Sequence, residues 1–384
     1  MERYIKQKNE EMISLLEKIV NIDSGTYIKK GVDRIGTILS EKYKELGFEI
    51  VVDKQEEYGN HLIIQHKEAV NPKIILVAHM DTVFPKGTAD ERPFHIDGNR
   101  AYGPGVVDMK GSQVELLYAI KALKEKNDKS YQNVQIILNG DEEIGSITSR
   151  SLIEKHAKGK EYALIMEPAR KDGSLVSARK GGGRFTLTVE GIAAHSGIEP
   201  EKGRSAIEEL AHKIIQLHEL NDHESGITVN VGIIEGGSSV NTISPHAVAE
   251  VDIRISKAKQ ADQVRKEIEE ICSHTDVPGT KVEVSGEITR LPMEKNEQTK
   301  ELLAIIKKVG KEVGVEVKDT FTGGGSDASY TSAAGVATID GLGPVGGDPH
   351  SENEYLELDT LTERTHMLAK IIQRLSREYN KENK

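Results

Sequence analysis

At 384 residues the chain is long enough for two or three compact units, and 37% hydrophobic with 29% charged residues is an ordinary globular composition. A net charge of −11 argues against nucleic acid or an anionic membrane surface as the main partner, and the 51 lysines and arginines form no basic arm. Cys272 is the lone cysteine, so no intrachain disulfide can form and a reducing, cytoplasmic location is expected.

Residues 1–20 are charged and carry Met12, Leu15, Leu16 and Ile19 at helical spacing, which predicts a helix over 6–20 rather than a secretory segment. No apolar stretch reaches membrane-spanning length, so no membrane partner is expected. A second helix is predicted over 31–46, followed by strands over 49–53 and 62–66. Three apolar runs then end on metal-liking side chains. Residues 73–78 (KIILVA) lead into His79-Met80-Asp81, and 134–138 (VQIIL) into Asn139-Gly140-Asp141-Glu142-Glu143. Residues 163–166 (ALIM) end on Glu167-Pro168. Short unbroken apolar runs suit strands buried on both faces of a parallel sheet, and ligands of such sheets bind beyond the carboxyl ends of the strands. Helices over 113–126 and 148–156 separate these runs, giving an α/β fold with a mixed, mainly parallel sheet flanked by helices.

The texture changes at 178–183 (ARKGGG), a hinge candidate. Beyond it Phe185, Leu187 and Val189 alternate with polar residues, as in a strand with one wet face. A helix with Ala206, Leu210, Ile214 and Leu217 on one stripe comes next, then strands over 228–234 and 248–255. A helix over 260–272 and a strand over 281–284 complete β-α-β-β-α-β, the order of ferredoxin-like α+β domains. After 290–295 (RLPMEK), a helix over 298–313, a strand over 336–340 and a helix over 361–379 read as a return to the first unit. The expectation is therefore a discontinuous domain of residues 1–178 and 291–384 with residues 179–290 inserted.

His79 and Asp81 lie two apart at a strand end, where side chains point the same way. Both can ligate a metal, or Asp81 can fix the ring of His79 from behind. Asp108 lies in a Gly- and Pro-rich loop (AYGPGVVDMKGS) before a helix. Glu142 and Glu143 are adjacent, so their side chains diverge, and one can bind metal while the other faces the substrate. Glu167 and His350, the latter in GGDPHSENEY, complete the set. Taken singly, these residues also read as a surface turn, a helix cap, a solvated acidic helix start and an exposed loop histidine. Together, two histidines and several carboxylates form a mixed N/O set suited to borderline divalent ions.

The segments HMDTV, YGPGVVDMKG, NGDEEIGS, MEP, GIAAHSG, TGGGSDASY and PHSENEYL, in this order, resemble those of a di-zinc metallopeptidase family. That family includes glutamate carboxypeptidase (carboxypeptidase G), aminoacylase, acetylornithine deacetylase and succinyl-diaminopimelate desuccinylase. PFHIDGNRAYGPG and TGGGSDASY look most like the carboxypeptidase G branch. The resemblance implies two Zn²⁺ per protomer, with Co²⁺ or Mn²⁺ able to occupy the same ligands. His79, Asp108 and Glu167 would hold one ion; Asp108, Glu143 and His350 would hold the other, with Asp108 bridging. It also implies Asp81 as the orienter of His79, Glu142 as general base, and a cis peptide bond between Asp108 and Met109. The inserted domain would act as lid and dimerisation domain of a homodimer, with His195 stabilising the oxyanion in the partner protomer's site. Arg254 would grip the substrate carboxylate, with Asn241, Arg290, Gly324 and Gly325 as further substrate contacts. Glu167 stands where other branches of the family use Asp, and Pro349 is an unusual neighbour for His350.

The implied function is a carboxypeptidase-type amidohydrolase that releases an amino acid, with glutamate favoured, from a small acyl-amino-acid or peptide substrate. An N-acyl amino acid deacylase would share every catalytic residue. A tripeptidase or aminopeptidase would need a group to bind a free amine, for which no candidate stands out. A non-catalytic scaffold would have lost Glu142 or a ligand, and none is lost.

Overall fold

The structure, a computed structural model, describes residues 1–382. The last two residues of the expected 291–384 segment lie outside the described residues. The chain divides into two compact units. The first comprises Met1–Ala178, Lys295–Phe321 and the chain from Ser326 onward; the second comprises Arg179–Glu294 and Thr322–Gly325.

The first unit is built on a six-stranded sheet in the order Phe48–Asp53, His61–His66, Val134–Asn139, Ile74–His79, Tyr162–Ile165, Ala337–Ile339. Its first three strands pair antiparallel and the remaining pairings are parallel. The mainly parallel, helix-flanked α/β reading therefore holds. Ile74–His79 lies between two parallel neighbours and is buried along its length, which is why its sequence is a continuous apolar run. Each such Ile, Leu or Val contributes about 1.5–3 kcal/mol by leaving water. The helices Asn9–Val20, Gly111–Glu125, Glu297–Val313 and Leu358–Glu382 complete the same core. Instead of one helix over 6–20, Glu2–Gln7 and Asn9–Val20 meet at Lys8, whose main chain leaves the helical region (φ −96°, ψ 4°). Ile5 stays buried, so the apolar spacing runs through the break and does not register it.

A second, small sheet escaped the sequence reading: Gly346–Gly347, Tyr355–Glu357, Arg100–Tyr102 and His95–Asp97. Strands of two or three residues are too short to show a period. Its register, Tyr102 opposite Tyr355 and Ala101 opposite Leu356, brings the loop after residue 102 beside the loop before residue 355. Among the described residues, no helix is long and apolar enough to cross a membrane.

The second unit is a four-stranded antiparallel sheet in the order Thr228–Gly236, His246–Ile255, Gly181–Glu190, Lys281–Arg290, with helices Ala206–Glu219 and Gln260–Ser273. The first strand in sequence and the third lie at the centre, and the second and fourth at the edges, the ferredoxin-like arrangement. The alternate residues Ala247, Ala249, Val251, Ile253 and Ile255 point into a core shared with Phe185, Leu210 and Val264. Residues 291–294 cluster with this unit because Met293 and Arg179 pair through their main chains. Residues 322–325 join it too, and Arg179 Nη1 donates to the carbonyls of Gly324 (3.1 Å) and Gly325 (3.3 Å).

Candidate metal centre

His79 ends the central parallel strand, with Asn139 beside it in register, so Glu142 and Glu143 follow at the same edge. Glu167 comes two residues after the next parallel strand ends. Asp108 arrives from the loop between Arg100–Tyr102 and the Gly111–Glu125 helix, and its peptide bond to Met109 is cis. That loop turns at Gly105, where φ is +72° and a Cβ would sit 2.5 Å from Thr82 Cγ2. His350 comes from the loop next to it, itself in the left-handed region (φ +62°), where non-glycine residues are uncommon and tend to mark functional sites.

These side chains converge. His79 Nε2 is 3.2 Å from Asp108 Oδ1 and 3.8 Å from Glu167 Oε1. His350 Nε2 is 3.3 Å from Asp108 Oδ2 and 3.2 Å from Glu143 Oε2. The two oxygens of one carboxylate thus face two different histidines. Two groups of donor atoms, His79 with Glu142 and Glu167, and His79 with Asp108 and Glu143, each lie within 4.8 Å of one another. Glu142 therefore sits among the donors and is itself buried. The His79 side is closed to solvent, whereas the His350 side chain is 52% exposed, so one half of the site is open.

His79 Nδ1 is 2.9 Å from the main-chain carbonyl of Asp81 and 3.4 Å from its Oδ1. The carbonyl is the hydrogen-bond partner that keeps Nδ1 as the N–H and turns Nε2 toward the cluster. The Asp81 carboxylate has a wider task than the sequence suggested. Its Oδ1 accepts the Glu142 N–H (3.2 Å), and its Oδ2 accepts the Glu143 N–H (3.1 Å) and the Thr26 hydroxyl (2.8 Å). The same loop is held from its far side by Asp327, which accepts from Asn139 Nδ2 (2.8 Å) and Ser146 Oγ (2.5 Å).

Burial opposes charge on His79, but the Asp108 and Asp81 carboxylates outweigh it and hold the imidazole well above its ordinary range. Hydrogen bonding to Asp108 and Glu143 raises His350 to about 10. Burial pushes Glu143 up to about 7 against the pull of His350. Burial, then the Asp108 charge, raise Glu167 well above the carboxylate range. Asp108 is the reverse case: burial opposes its charge, yet His350 and His79 hold it below that range. The set fits two divalent cations. Its donors are the N/O mixture such ions prefer, Asp108 offers one oxygen to each side, and the buried Oε1 of Glu143 has no hydrogen-bond partner among the described residues.

In the second unit Gly182 is the register partner of both Arg254 and Arg290 on the flanking strands. A Cβ at Gly182 would meet Arg254 Cδ at 3.1 Å, so the glycine leaves room for that side chain. Arg254 makes a forked pair with Asp252 (Nε to Oδ2 2.9 Å, Nη2 to Oδ1 3.0 Å). Arg290 Nη1 lies 2.8 Å from where a Gly325 Cβ would be, so the Gly324–Gly325 turn passes directly over it. His195 is exposed on a short ribbon, Ala194–His195 against Thr242–Ile243, and the next residue, Ser196, donates its N–H to the Asn241 carbonyl (3.0 Å). His195 Nδ1 accepts the Gly197 N–H (3.1 Å), which leaves the hydrogen of the neutral ring on Nε2.

Several residues of this architecture carry little signal in the sequence: Thr26 behind Asp81, Arg179 under the glycine loop, Asp327 behind the Glu142 loop, and Glu354 beside Asp108. Each acts through a neighbour distant along the chain. Only the placement of Asp327 in TGGGSDASY and of Glu354 in PHSENEYL hinted at them.

The profile of peptidase family M20/M25/M40 matches residues 75–374. Carboxypeptidase G2 of Pseudomonas sp. is 32% identical over 369 residues, covering 94% of this chain and 88% of that protein. Succinyl-diaminopimelate desuccinylase of Shewanella pealeana is 25% identical over 385 residues, covering 95% of this chain and 97% of that one. Among solved structures, a tripeptidase from Staphylococcus aureus has a TM-score of 0.80 at 22% identity, covering 96% of this chain and 99% of its own. A metallo-carboxypeptidase from Sulfolobus solfataricus has a TM-score of 0.77 at 19% identity, covering 95% and 99%. At such identities these structures share the fold.

Proposed function

Because the chain belongs to peptidase family M20/M25/M40 and is a hydrolase of amide bonds, we propose that it is a zinc-dependent carboxypeptidase. In this reading it releases an amino acid, glutamate by preference, from a small acyl or peptidyl group. The observation that carries the reading is the Asp108 carboxylate, whose two oxygens face His79 and His350 separately. His79, Asp108 and Glu167 would hold one ion, and Asp108, Glu143 and His350 the other. When bound, the pair of ions supplies a water of lowered pKa and a Lewis acid for the scissile carbonyl.

The chain's own residues do the rest. Glu142 takes the proton of the attacking water and returns it to the leaving nitrogen. Asp81 keeps Glu142 in place through the two main-chain N–H groups it accepts, and the Asp81 carbonyl orients His79. Arg254 and Arg290, in register on either side of Gly182, receive the substrate's carboxylates, with Asn241, Gly324 and Gly325 completing the contacts. Two arginines suit a product with two carboxylates, which favours glutamate, as does the likeness to carboxypeptidase G2.

The second unit serves as lid and as the interface of a homodimer, and His195 donates from Nε2 to the oxyanion in the other protomer's site. Exposed Ile233 and Ile234 on the edge strand Thr228–Gly236 support pairing there. A lone cysteine supports a reducing, cytoplasmic setting.

Hydrolysis by zinc-loaded protein is to be compared across N-benzoyl-glutamate, folate, N-acetyl amino acids and simple dipeptides. Preference for the bulky acyl-glutamates upholds the reading. Preference for acetylated amino acids moves the protein to the deacylases, the second reading, which the desuccinylase relative favours.

A further inference from the structure

Glu354 follows His350 by four residues, yet its side chain serves the opposite loop. The residue is 2% exposed, and its carboxylate accepts three main-chain N–H groups. Gly105 N–H reaches Oε2 at 3.1 Å, while Val107 and Asp108 N–H reach Oε1 at 2.9 and 3.0 Å. The position of these bonds matters. The ladder between Arg100–Tyr102 and Tyr355–Glu357 ends at the pair Tyr102 and Tyr355. Glu354 is the next residue on one side, and the loop bearing Asp108 continues on the other. The side chain therefore carries the pairing past the point where the main chains separate. Buried main-chain N–H groups left unpaired are costly, and three of them converge on this one carboxylate.

We propose that Glu354 is a positioning residue that sets the spacing between the bridging Asp108 and His350, and hence the affinity of the second metal ion. This rests on Asp108 and His350 being metal ligands. The carboxylate reaches Asp108 through its main-chain N–H and the main chains of Gly105 and Val107, while its own main chain belongs to the His350 loop. Groups behind a metal ligand commonly tune affinity in this way. Glutamine has the same shape but only one acceptor oxygen. It can keep Val107 and Asp108 while its NH₂ opposes the Gly105 N–H. Aspartate keeps the charge but falls one methylene short of the three donors.

The test is a Co²⁺ titration of metal-free protein, followed by the visible absorption of the bound ion, for wild type, Glu354→Gln and Glu354→Asp. Circular dichroism and melting of the metal-free proteins are recorded alongside. The expected result is two equivalents in each, with the second equivalent weakened roughly 10- to 100-fold in both variants, and metal-free melting lowered by the unpaired N–H groups but with the fold retained. At saturating metal, kcat should recover toward wild type with KM little changed. Wild-type affinity for both ions in the variants overturns the proposal and leaves the dinuclear reading intact. Uptake of fewer than two ions by wild type overturns the dinuclear reading and the proposal with it. Loss of the fold without metal in both variants makes Glu354 a residue of the core, which also overturns the proposal.

Discussion

Asp81→Asn separates two tasks that one carboxylate combines. Four donors converge on a group that is 1% exposed: the Glu142 and Glu143 N–H, the Thr26 hydroxyl and, at 3.4 Å, His79 Nδ1. An amide offers one oxygen and one NH₂. With the NH₂ on the Thr26 side the hydroxyl can turn and accept, but the Glu143 N–H is left facing hydrogen. With the NH₂ on the other side, the Glu142 N–H is left instead. Either way one buried N–H loses its partner, at about 1–3 kcal/mol, and the surviving bonds lose the assistance of a charge. We expect a destabilisation of about 3 kcal/mol in the metal-free protein. Turnover should fall about 100-fold, because a shift of the 142–143 main chain by about 1 Å is costly at a reacting centre. Metal affinity should fall by less than about 10-fold, because the carbonyl that orients His79 survives the substitution. Urea unfolding, steady-state kinetics and a Co²⁺ titration read these three quantities. Loss of metal ahead of turnover, with stability unchanged, would show that the carboxylate works on His79 and not on the loop.

Glu142→Gln should keep both metal ions, measured by elemental analysis, and lose about 10²- to 10⁴-fold in kcat. His195→Ala mixed with Glu142→Ala should regain activity as protomers exchange; verified mixed dimers that stay inactive would refute a shared site. Asp252→Asn frees the Arg254 fork from an exposed pair worth up to about 1 kcal/mol, so KM for an acyl-glutamate should fall by up to about 5-fold while kcat is unchanged. Burial works against charge on Asp319, but Lys295, Ser177 and Lys307 outweigh it and hold the carboxyl well below the usual carboxylate range. A depressed folded pKa contributes stability that is present above the unfolded value, about 3.9, and is lost as pH falls toward the folded one. Asp319→Asn should therefore cost about 2 kcal/mol at pH 7 in urea unfolding, with the gap closing progressively below about pH 4.

The parallel core was legible because strands buried on both faces leave unbroken apolar runs, as in Ile74–His79, and the second unit because one-sided burial leaves alternation, as in His246–Ile255. The acidic and imidazole side chains of the candidate metal cluster could be picked out because most of them sit where those runs stop. The small sheet that brings His350 to Asp108 could not, since its strands are too short for any pattern. Nor could the partners of Asp81 and Glu354, because a buried carboxylate accepting main-chain N–H groups looks like any surface acid in sequence. Arg254 stood out as a candidate carboxylate binder through the family resemblance alone, and its engagement by Asp252 depends on strand geometry and not on residue type.

The first unit is interrupted: its sheet takes strands from residues 48–165 and a last one from Ala337–Ile339, and its core includes the helix Leu358–Glu382. On the ribosome, the residues of the second unit between Arg179 and Glu294 emerge before the first unit has all of its parts. His350 and Glu354 follow that whole span in the chain, so the candidate metal cluster cannot close until they too have emerged. In the proposed reading, a chain released before residue 350 would carry His79, Asp108, Glu142, Glu143 and Glu167 but lack one ligand of the second ion, and so remain unable to cut amide bonds in its surroundings.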